Sequence, residues 1–389
     1  GPSGAMADAF LRTVGEGEYS FYVEWLDTHA GLLRRFHLKF FEADSTIEIF
    51  DGKNHRMFLK RVRPTEDPAL GDFYVGNVVT IFSRKMKVVE YADKFTADFF
   101  ATARQCAVGI VFPAATAQLG AILKATAAGG MQVGRMRSVR LTARAAEALA
   151  RESDAAHAGA GVGARKGLGG AALAAALSSG TVTAIELVGD RVVARWLSLV
   201  GPSDGSRAGT LSATFGGDAI YASPSRPAAA VEVEALFERP HEPTARFSRS
   251  SLCLIKPHAV LDGTYADVID AILGAGFDIT AVRTIGLDPS AAEDLLEVYK
   301  GVVPEYARWI KQFASGKSVA LEVTGADVVR RLRDLFGPYE PEVARILRPD
   351  TLRAKYARNS VKNLAHVTDI DVDGPLECKF IFGVLRDYQ

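Results

Sequence analysis

The sequence has no excess of charge of either sign and very little cysteine. Its 389 residues include 46 basic and 46 acidic side chains, so the formal net charge is zero. A balanced chain gives no electrostatic reason to expect nucleic acid or an anionic membrane as the main partner. The three cysteines, Cys106, Cys253 and Cys378, are scattered. Two of them lie in strand-like apolar runs, which favours buried thiols in a reducing compartment over disulfides.

Long apolar runs are missing as well. No stretch of 18 apolar residues occurs, and the chain opens without the charged and apolar segments of a secretory signal. The sequence therefore predicts no membrane span and a place in the cytoplasm. Residues 1–5 resemble a remnant of tag cleavage before Met6, and we expect residues 1–15 to be a tail outside the folded domains.

Residues 16–103 are rich in aromatic side chains and alternate apolar and polar residues with a period of two. Asp51-Gly52 predicts a tight turn within this segment. Short strands at this spacing, with no long helix, predict a small all-β domain. The predicted strands cover residues 21–25, 36–41, 47–50, 57–60, 77–82 and 87–91.

Three basic runs lie at the ends of these strands, at residues 34–35, 60–63 and 84–87. Such runs are typical of a solvated face of strand ends. They are also what docking onto an acidic protein surface would need. The residues alone leave both interpretations open.

The same segment resembles the DM-10 domain of ciliary and flagellar proteins. The resemblance lies in residues 35–41 (RFHLKFF), 47–51 (IEIFD) and 82–84 (FSR). It implies a small β-rich, PH-like fold. It also implies tubulin and other proteins of the doublet microtubule as partners, and a place in the cytoskeleton of a cilium or flagellum, the axoneme.

A later apolar run ends on Lys256. Residues 252–256 predict a short buried strand, which Pro257 ends because proline cannot donate to a ladder. A loop with a glycine follows, and residues 266–273 predict a helix with one apolar face. A lysine at the mouth of such a unit can meet an anion, although a surface lysine at a strand end is the plainer interpretation.

Three motifs follow one another in order: IKPHAV at 255–260, SGKSVA at 315–320 and NLAH at 363–366. Through them residues 250–389 resemble a nucleoside diphosphate kinase domain. The resemblance implies the α+β class, with a ferredoxin-like antiparallel sheet backed by helices. It also implies ATP or another nucleoside tri- or diphosphate as ligand, with Mg²⁺ held through the phosphates and not by a protein motif.

The family's nucleophile corresponds to His366 in this sequence. A neutral imidazole is nucleophilic near neutral pH, and its phosphoramidate is labile. The resemblance makes Glu377, at the start of a predicted last strand, the group that orients the ring. It also makes Tyr299 the tyrosine that packs beside the nucleophile.

Phosphoryl transfer depends on positioning and on neutralising phosphate charge. The resemblance supplies three cations, an asparagine for the ribose and phosphate side, and an aromatic residue for the base. A tyrosine also stands where a phosphate-contacting threonine is usual. In that order these nucleotide-binding residues are Lys256, Arg333, Arg353, Asn363, Tyr306 and Tyr339.

This sequence departs from the family at several of these positions. His258 replaces an aspartate, Tyr339 is bulky enough to crowd the nucleotide, and Val367-Thr368 replaces Gly-Ser. Residues 375–382 predict a strand, so we expect the helix that normally follows the catalytic segment to be absent. These departures concern rate and affinity more than the existence of the site.

Residues 104–240 predict a first copy of the same domain, joined to the second by a linker at 241–249. Residues 157–170 are rich in alanine and glycine and predict a flexible insertion in this copy. A duplication of this length means two domains and not a solenoid. The repeated spacing is that of the glycines at 180, 189 and 201, which recurs at 316, 325 and 337.

The first copy lacks the residues that phosphoryl transfer needs. Phe112 stands for the lysine, Ala114 for the aspartate, Ser212 for the phosphate arginine and Tyr221 for the histidine. Without a nucleophile or a cationic clamp, transfer there is chemically implausible. Two functions therefore stay open: a kinase that works through the second copy alone, and a structural protein of the doublet microtubule that uses both folds as scaffolds.

Overall fold

The computed structural model describes residues 17–27, 30–103, 105–161 and 167–385. The predicted tail at residues 1–15 lies outside these ranges. The chain divides into two units. One comprises residues 1–104 with the short segments 286–292 and 313–316. The other comprises residues 105–285, 293–312 and 317–389.

The first unit contains a six-stranded antiparallel sheet with the order β4-β3-β2-β1-β6-β5. Its period-2 pattern puts residues such as Phe21, Val23 and Leu38 into the core. The predicted β-rich fold is confirmed, with several strands longer than expected. Their bounds are β1 Glu18–Asp27, β2 Leu32–Phe41, β3 Thr46–Asp51, β4 Arg56–Val62, β5 Val78–Ile81 and β6 Arg84–Tyr91.

The expectation that this segment has no long helix is wrong at its end. Helix α1 spans Lys94–Ala103. Asp93 caps it by accepting from the backbone N–H of Thr96 at 2.8 Å, which is the usual role of an aspartate before a first turn. Thr96 and Phe100 are buried, and the Thr96 hydroxyl accepts from the backbone N–H of Ser20 on β1. This helix was not predicted because it is short and contains several phenylalanines, which are also typical of strands.

The second unit contains an eight-stranded sheet with the order β10-β7-β9-β8-β12-β13-β11-β14. Its strands are β7 Gln105–Val111, β8 Gln132–Arg140, β9 Thr181–Gly189, β10 Ile220–Ala222, β11 Ser250–Ile255, β12 Asp278–Gly286, β13 Lys317–Thr324 and β14 Ala365–Val367.

Helices flank these strands in both halves of the sequence. In the first half they are α2 Leu119–Ala128, α3 Ala143–Gly159, α4 Gly170–Ser178, α5 Val192–Val200, α6 Leu211–Phe215 and α7 Arg226–Val233. In the second half they are α8 Pro257–Leu261, α9 Tyr265–Gly274, α10 Pro289–Leu295, α11 Tyr306–Phe313, α12 Val328–Phe336, α13 Pro341–Leu347, α14 Leu352–Tyr356 and α15 Gly374–Phe382. Short 3₁₀ turns at Leu70–Asp72, Pro113–Gln118 and Glu297–Tyr299 and a π turn at Glu234–Glu238 complete the elements.

The eight strands form two sets of four with the same internal order. Strands β7 to β10 lie in the order fourth, first, third, second. Strands β11 to β14 continue the sheet with the same order reversed. This is the strand order of the ferredoxin-like fold, and it confirms the predicted fold class. The second strands of the two sets, β8 and β12, meet at the centre, where Arg137 lies opposite Arg283.

The repeat extends to backbone geometry. Gly201 and Gly337 end the equivalent helices α5 and α12, and both have φ +76°. A Cβ at Gly201 would lie 2.5 Å from the side chain of Thr210, and one at Gly337 would lie 2.4 Å from that of Thr351. Only glycine fits either position, because both the dihedral angle and the space exclude a side chain.

One local prediction is wrong. Residues 375–382 form most of helix α15 and not a strand, so the helix after the catalytic segment is present. Pro375 occupies a first-turn position, where its missing N–H costs nothing, and Cys378 is a buried helical residue. In the predicted insertion, His157 is buried at the end of helix α3, and residues 162–166 lie outside the described ranges.

In the described residues no helix is long and apolar enough to cross a membrane. Among the described residues Cys106, Cys253 and Cys378 form no disulfide bond, and Cys253 and Cys378 are buried.

Candidate functional site

His366 is held by the short edge strand β14. It lies opposite Leu254 of β11, and the ring is only 7% exposed. Glu377 in the first turn of α15 reaches it, with 3.0 Å between His366 Nε2 and Glu377 Oε2. Glu377 thus reaches the ring from a helix and not from the predicted strand. The Thr368 hydroxyl donates to the same carboxylate oxygen at 2.7 Å.

This hydrogen bond selects one tautomer of His366. A carboxylate can only accept, so Nε2 must carry the proton and donate it. The lone pair then lies on Nδ1. The arrangement is that of an imidazole prepared to act as a nucleophile through Nδ1.

Tyr299 lies edge-on to His366, with 6.0 Å between the ring centroids. Its hydroxyl donates to Asp369 Oδ2 at 2.5 Å. Burial and this carboxylate raise the pKa of Tyr299 above its ordinary value, so the phenol stays protonated. Arg333 contacts the same Asp369, with 3.1 Å between Arg333 Nε and Asp369 Oδ1. Asp369 therefore ties together two of the predicted site residues.

Lys256 follows β11 and is almost completely buried, with 2% of its surface exposed. Its ammonium donates to the Val361 carbonyl at 2.9 Å and lies 4.9 Å from the centroid of the Trp309 ring. Burial and, secondarily, the Arg353 guanidinium hold the pKa of Lys256 well below its ordinary value. The predicted phosphate cation is thus present but withdrawn from solvent.

Arg353 on α14 is also buried, and its guanidinium is hydrogen-bonded to backbone carbonyls. It donates to the carbonyls of Gly337, Asn363 and Ala365 at 2.7, 3.2 and 3.0 Å. Burial lowers its pKa to about 10. Because Ala365 directly precedes His366, this side chain fixes the backbone that carries the candidate nucleophile.

Three further predicted residues border this cluster. Asn363 is buried and donates to the Tyr339 carbonyl at 3.1 Å, and its Oδ1 has no partner among the described residues. Tyr339 is 39% exposed and contacts Trp309 edge-on at 6.0 Å. Tyr306 begins α11 half-buried, and its ring makes no aromatic contact in the described part of the chain. The structure thus joins Asn363 and Tyr339 to the cluster, but not Tyr306.

Sequence reasoning missed Asp369 and Trp309. Asp369 stands three residues after His366, and this closeness in sequence was a signal that could have identified it. Trp309 gave a weaker signal, because a tryptophan on an amphipathic helix is most simply a core residue. No cluster of three or more His, Cys, Asp or Glu side chains in the described ranges could hold a metal ion.

The first copy keeps the geometry of this site with other side chains. Tyr221 on β10 lies opposite Ile110 as His366 lies opposite Leu254. Its hydroxyl donates to Glu232 Oε1, and Ser223 donates to Glu232 Oε2 at 2.5 Å. Phe112 fills the position of Lys256, again buried. The first copy thus keeps the hydrogen-bond arrangement, but it has neither a histidine nor a lysine at these two positions.

The chain matches known families in two segments. A model of the nucleoside diphosphate kinase family matches residues 249–385, and a model of the DM10 domain matches residues 18–96. The chain is similar to nucleoside diphosphate kinase homolog 7 of Mus musculus and of Rattus norvegicus. Each is 32% identical over 399 residues, covering 99% of this chain and 98% of the relative. Among solved structures, a nucleoside diphosphate kinase from Aquifex aeolicus gives a TM-score of 0.34 at 28% identity, covering 35% of this chain and 96% of that one.

A ferredoxin-like repeat with this histidine site and these family matches defines a protein of the nucleoside diphosphate kinase type. The chain belongs to the family of nucleoside diphosphate kinase homolog 7, because relatives of that description align with it from end to end.

Proposed function

We propose that residues 250–389 transfer a phosphoryl group from ATP or another nucleoside triphosphate to a nucleoside diphosphate through a phosphohistidine at His366. The observation that carries this proposal is the hydrogen bond between His366 Nε2 and Glu377, which leaves the lone pair on Nδ1. The family match to residues 249–385 supports nucleotides as the ligand class.

In the first half-reaction Nδ1 attacks the γ-phosphorus, and the bond from that phosphorus to the bridging β-phosphate oxygen breaks. The nucleoside diphosphate leaves with the electron pair, and Glu377 stabilises the imidazolium character of the phosphorylated ring. In the second half-reaction a terminal oxygen of another nucleoside diphosphate attacks the phosphohistidine, and the neutral ring is restored. Because each step is the reverse of the other, one site suffices for both.

Positive charge near His366 supports a phosphate ligand. Lys256 and Arg353 are buried there, and Arg333 lies within reach on α12. The carboxylates of Asp369 and Glu377 already accept hydrogen bonds from Tyr299 and His366. Because these carboxylates already accept protein hydrogen bonds, the residues of the site fit a Mg²⁺ ion that is held by the nucleotide phosphates. When bound with the nucleotide, such an ion would neutralise phosphate charge.

A transfer assay tests this function. ATP and GDP are incubated with the full chain, and GTP formation is followed. We expect activity in the native protein, at least 100-fold less in His366→Ala, and full activity in the matched first-copy variant Tyr221→Phe. Equal activity in His366→Ala would refute the proposal, and loss in Tyr221→Phe would move the reaction to the other copy.

We also propose a structural role in the doublet microtubule of a cilium or flagellum, within the cytoplasm and its cytoskeleton. The observation that favours it is the first copy, which retains its sheet and buried frame although Tyr221 and Phe112 replace the catalytic groups. Selection for catalysis alone does not explain a complete but inert duplicate. Within this proposal residues 16–103, 104–240 and 250–389 are separate domains, and the first of them meets tubulin or an axonemal neighbour.

A further inference from the structure

The candidate phosphate cation cannot meet a phosphate in the conformation described here. A charge-assisted hydrogen bond brings nitrogen and oxygen to about 2.7–2.9 Å. Lys256 is only 2% exposed, its ammonium donates to the Val361 carbonyl and lies 4.9 Å from the centroid of the Trp309 ring, and the Arg353 guanidinium is near enough to repel it. A nucleotide therefore needs one of these groups to move.

Of the groups around the Lys256 ammonium, Trp309 is a side chain that contacts several other parts of the site. Its Nε1 donates to the Ser360 carbonyl at 2.8 Å, which ties α11 to the loop before Asn363. Its ring lies between Tyr339 at 6.0 Å and Tyr299 at 5.7 Å, edge-on to both. Tyr299 in turn contacts His366. The indole thus packs against the ammonium and, through Tyr299, adjoins the candidate nucleophile.

We propose that Trp309 is a lid that closes the nucleotide site, and that binding requires its indole to leave Lys256 and its hydrogen bond to Ser360 to break. This inference rests on the proposed function, since it assumes that Lys256 binds phosphate. Arg353 cannot take the same role, because its three backbone hydrogen bonds hold the strand of His366 in place. The Val361 carbonyl is backbone, whereas an indole can swing about two side-chain torsions.

The closed arrangement has an electrostatic cost that opening relieves. Burial and the nearby guanidinium disfavour the charged form of Lys256, as its lowered pKa indicates. The indole face compensates in part through a cation–π contact. A phosphate that replaces the indole supplies full negative charge and two acceptor oxygens, so a nucleotide prefers the open state and shifts the population towards it.

Fluorescence tests the movement directly. The chain has three tryptophans, Trp25, Trp196 and Trp309. In a Trp25→Phe background, MgADP should change the emission spectrum, and the change should vanish in Trp25→Phe/Trp309→Phe. Trp196 is fully buried in the first copy and contributes a constant signal.

Affinity tests the closure. If the open state is about a tenth of the population, removing the lid should tighten MgADP binding about tenfold. We expect this in Trp309→Leu, measured by calorimetry, and a smaller gain in Trp309→Phe, which loses the hydrogen bond to Ser360 but keeps a ring. Trp25→Leu is the matched control and should leave affinity unchanged. Thermal melting identifies any variant that does not fold.

The outcomes separate this inference from the function on which it rests. MgADP binding to native protein with no Trp309 signal and no gain in either Trp309 variant would overturn the lid and leave the function standing. Binding only after Trp309→Leu would support the lid in its strongest form. If neither the native chain nor either folded Trp309 variant binds MgADP or forms phosphohistidine, both proposals are wrong.

Discussion

Tyr221 and His366 occupy the same place in two copies of one fold, each opposite a strand residue of equal register and each hydrogen-bonded to a glutamate on the following helix. The duplication therefore conserved a frame and exchanged the group held by it. A phenol in this frame is a buried structural donor. An imidazole there has its tautomer fixed, with the lone pair on Nδ1.

The first prediction concerns Glu377. In Glu377→Gln the amide can present nitrogen or oxygen to His366 Nε2, so the ring is no longer held as one tautomer. We expect the rate of phosphoryl transfer to fall about 10–100-fold, as for other groups that orient a reactive imidazole. Steady-state assays of ATP and GDP measure it. Glu232→Gln makes the same change in the first copy and should leave the rate unaltered, and equal rates for Glu377→Gln and native protein would contradict the assignment.

Tyr339 offers a prediction about affinity. Its ring packs on Trp309 at the edge of the site, where the family more often has a threonine. Replacing it by threonine should relieve crowding of about 1–3 kcal/mol and tighten nucleotide binding accordingly. Calorimetry with MgADP measures the change. Tyr356, which is equally exposed at 39%, provides the control Tyr356→Thr. An unchanged dissociation constant in Tyr339→Thr would show that this side chain does not limit binding.

His258 predicts a pH dependence of stability. Burial, and secondarily the Lys256 ammonium, lower its pKa to about 4, from an ordinary value of 6.5. The folded protein therefore binds fewer protons at this site than the unfolded chain between these values. The contribution of His258 to the free energy of unfolding is then complete above pH 6.5 and is lost as the pH falls towards 4.

Urea unfolding of native protein and His258→Asn from pH 4 to 7 checks this effect. The native protein should lose more stability than the variant on acidification, and the difference should lie within that window. His241→Asn is a control for a second histidine with a lowered pKa. Parallel curves for native protein and His258→Asn would mean that His258 titrates alike in the folded and unfolded states.

Gly337 predicts a cost in stability. Its backbone has φ +76° and its absent Cβ would lie 2.4 Å from Thr351 Oγ1. Gly337→Ala should therefore lower the free energy of unfolding by about 1–3 kcal/mol. Gly274→Ala is the control, because Gly274 ends helix α9 with nothing within 4 Å of its would-be Cβ. Denaturant unfolding that ranks the two variants equally would contradict the steric argument.

The docking proposal gives a prediction about charge. Arg61 and Arg63 form ion pairs with Asp44 and Asp67, so much of the predicted basic character is neutralised locally. Lys53 and Lys60, on or beside β4, are exposed and form no ion pair in the described part of the chain. Their positive charge is therefore the better candidate for meeting acidic tubulin.

Lys53→Glu/Lys60→Glu should abolish incorporation into axonemes and leave thermal stability and nucleotide binding intact. Lys53→Gln/Lys60→Gln separates lost charge from reversed charge and should show an intermediate effect. Incorporation at the native level in the charge-reversed protein would refute electrostatic docking through this edge.

The sequence allowed the strand before Pro257 to be predicted, because an apolar run is followed by a proline that cannot continue the ladder. Motifs such as Asn363 to His366 indicated the candidate site residues, whose roles stay predictions. The sequence did not allow the last helix to be predicted, since Pro375 and the apolar residues that follow fit either a strand or a helix start. The roles of Trp309 and Asp369 depend on contacts with residues 51 and 70 positions away, Ser360 and Tyr299. Periodicity and propensity carry no information about contacts at that distance.

The most direct test of this account is to label the full chain with radioactive ATP and map the phosphate under conditions that preserve phosphohistidine. The account predicts acid-labile, base-stable phosphate on His366, its release to added nucleoside diphosphate, and none on Tyr221. Acid-stable phosphate at another residue, or undiminished labelling of His366→Ala, would contradict it.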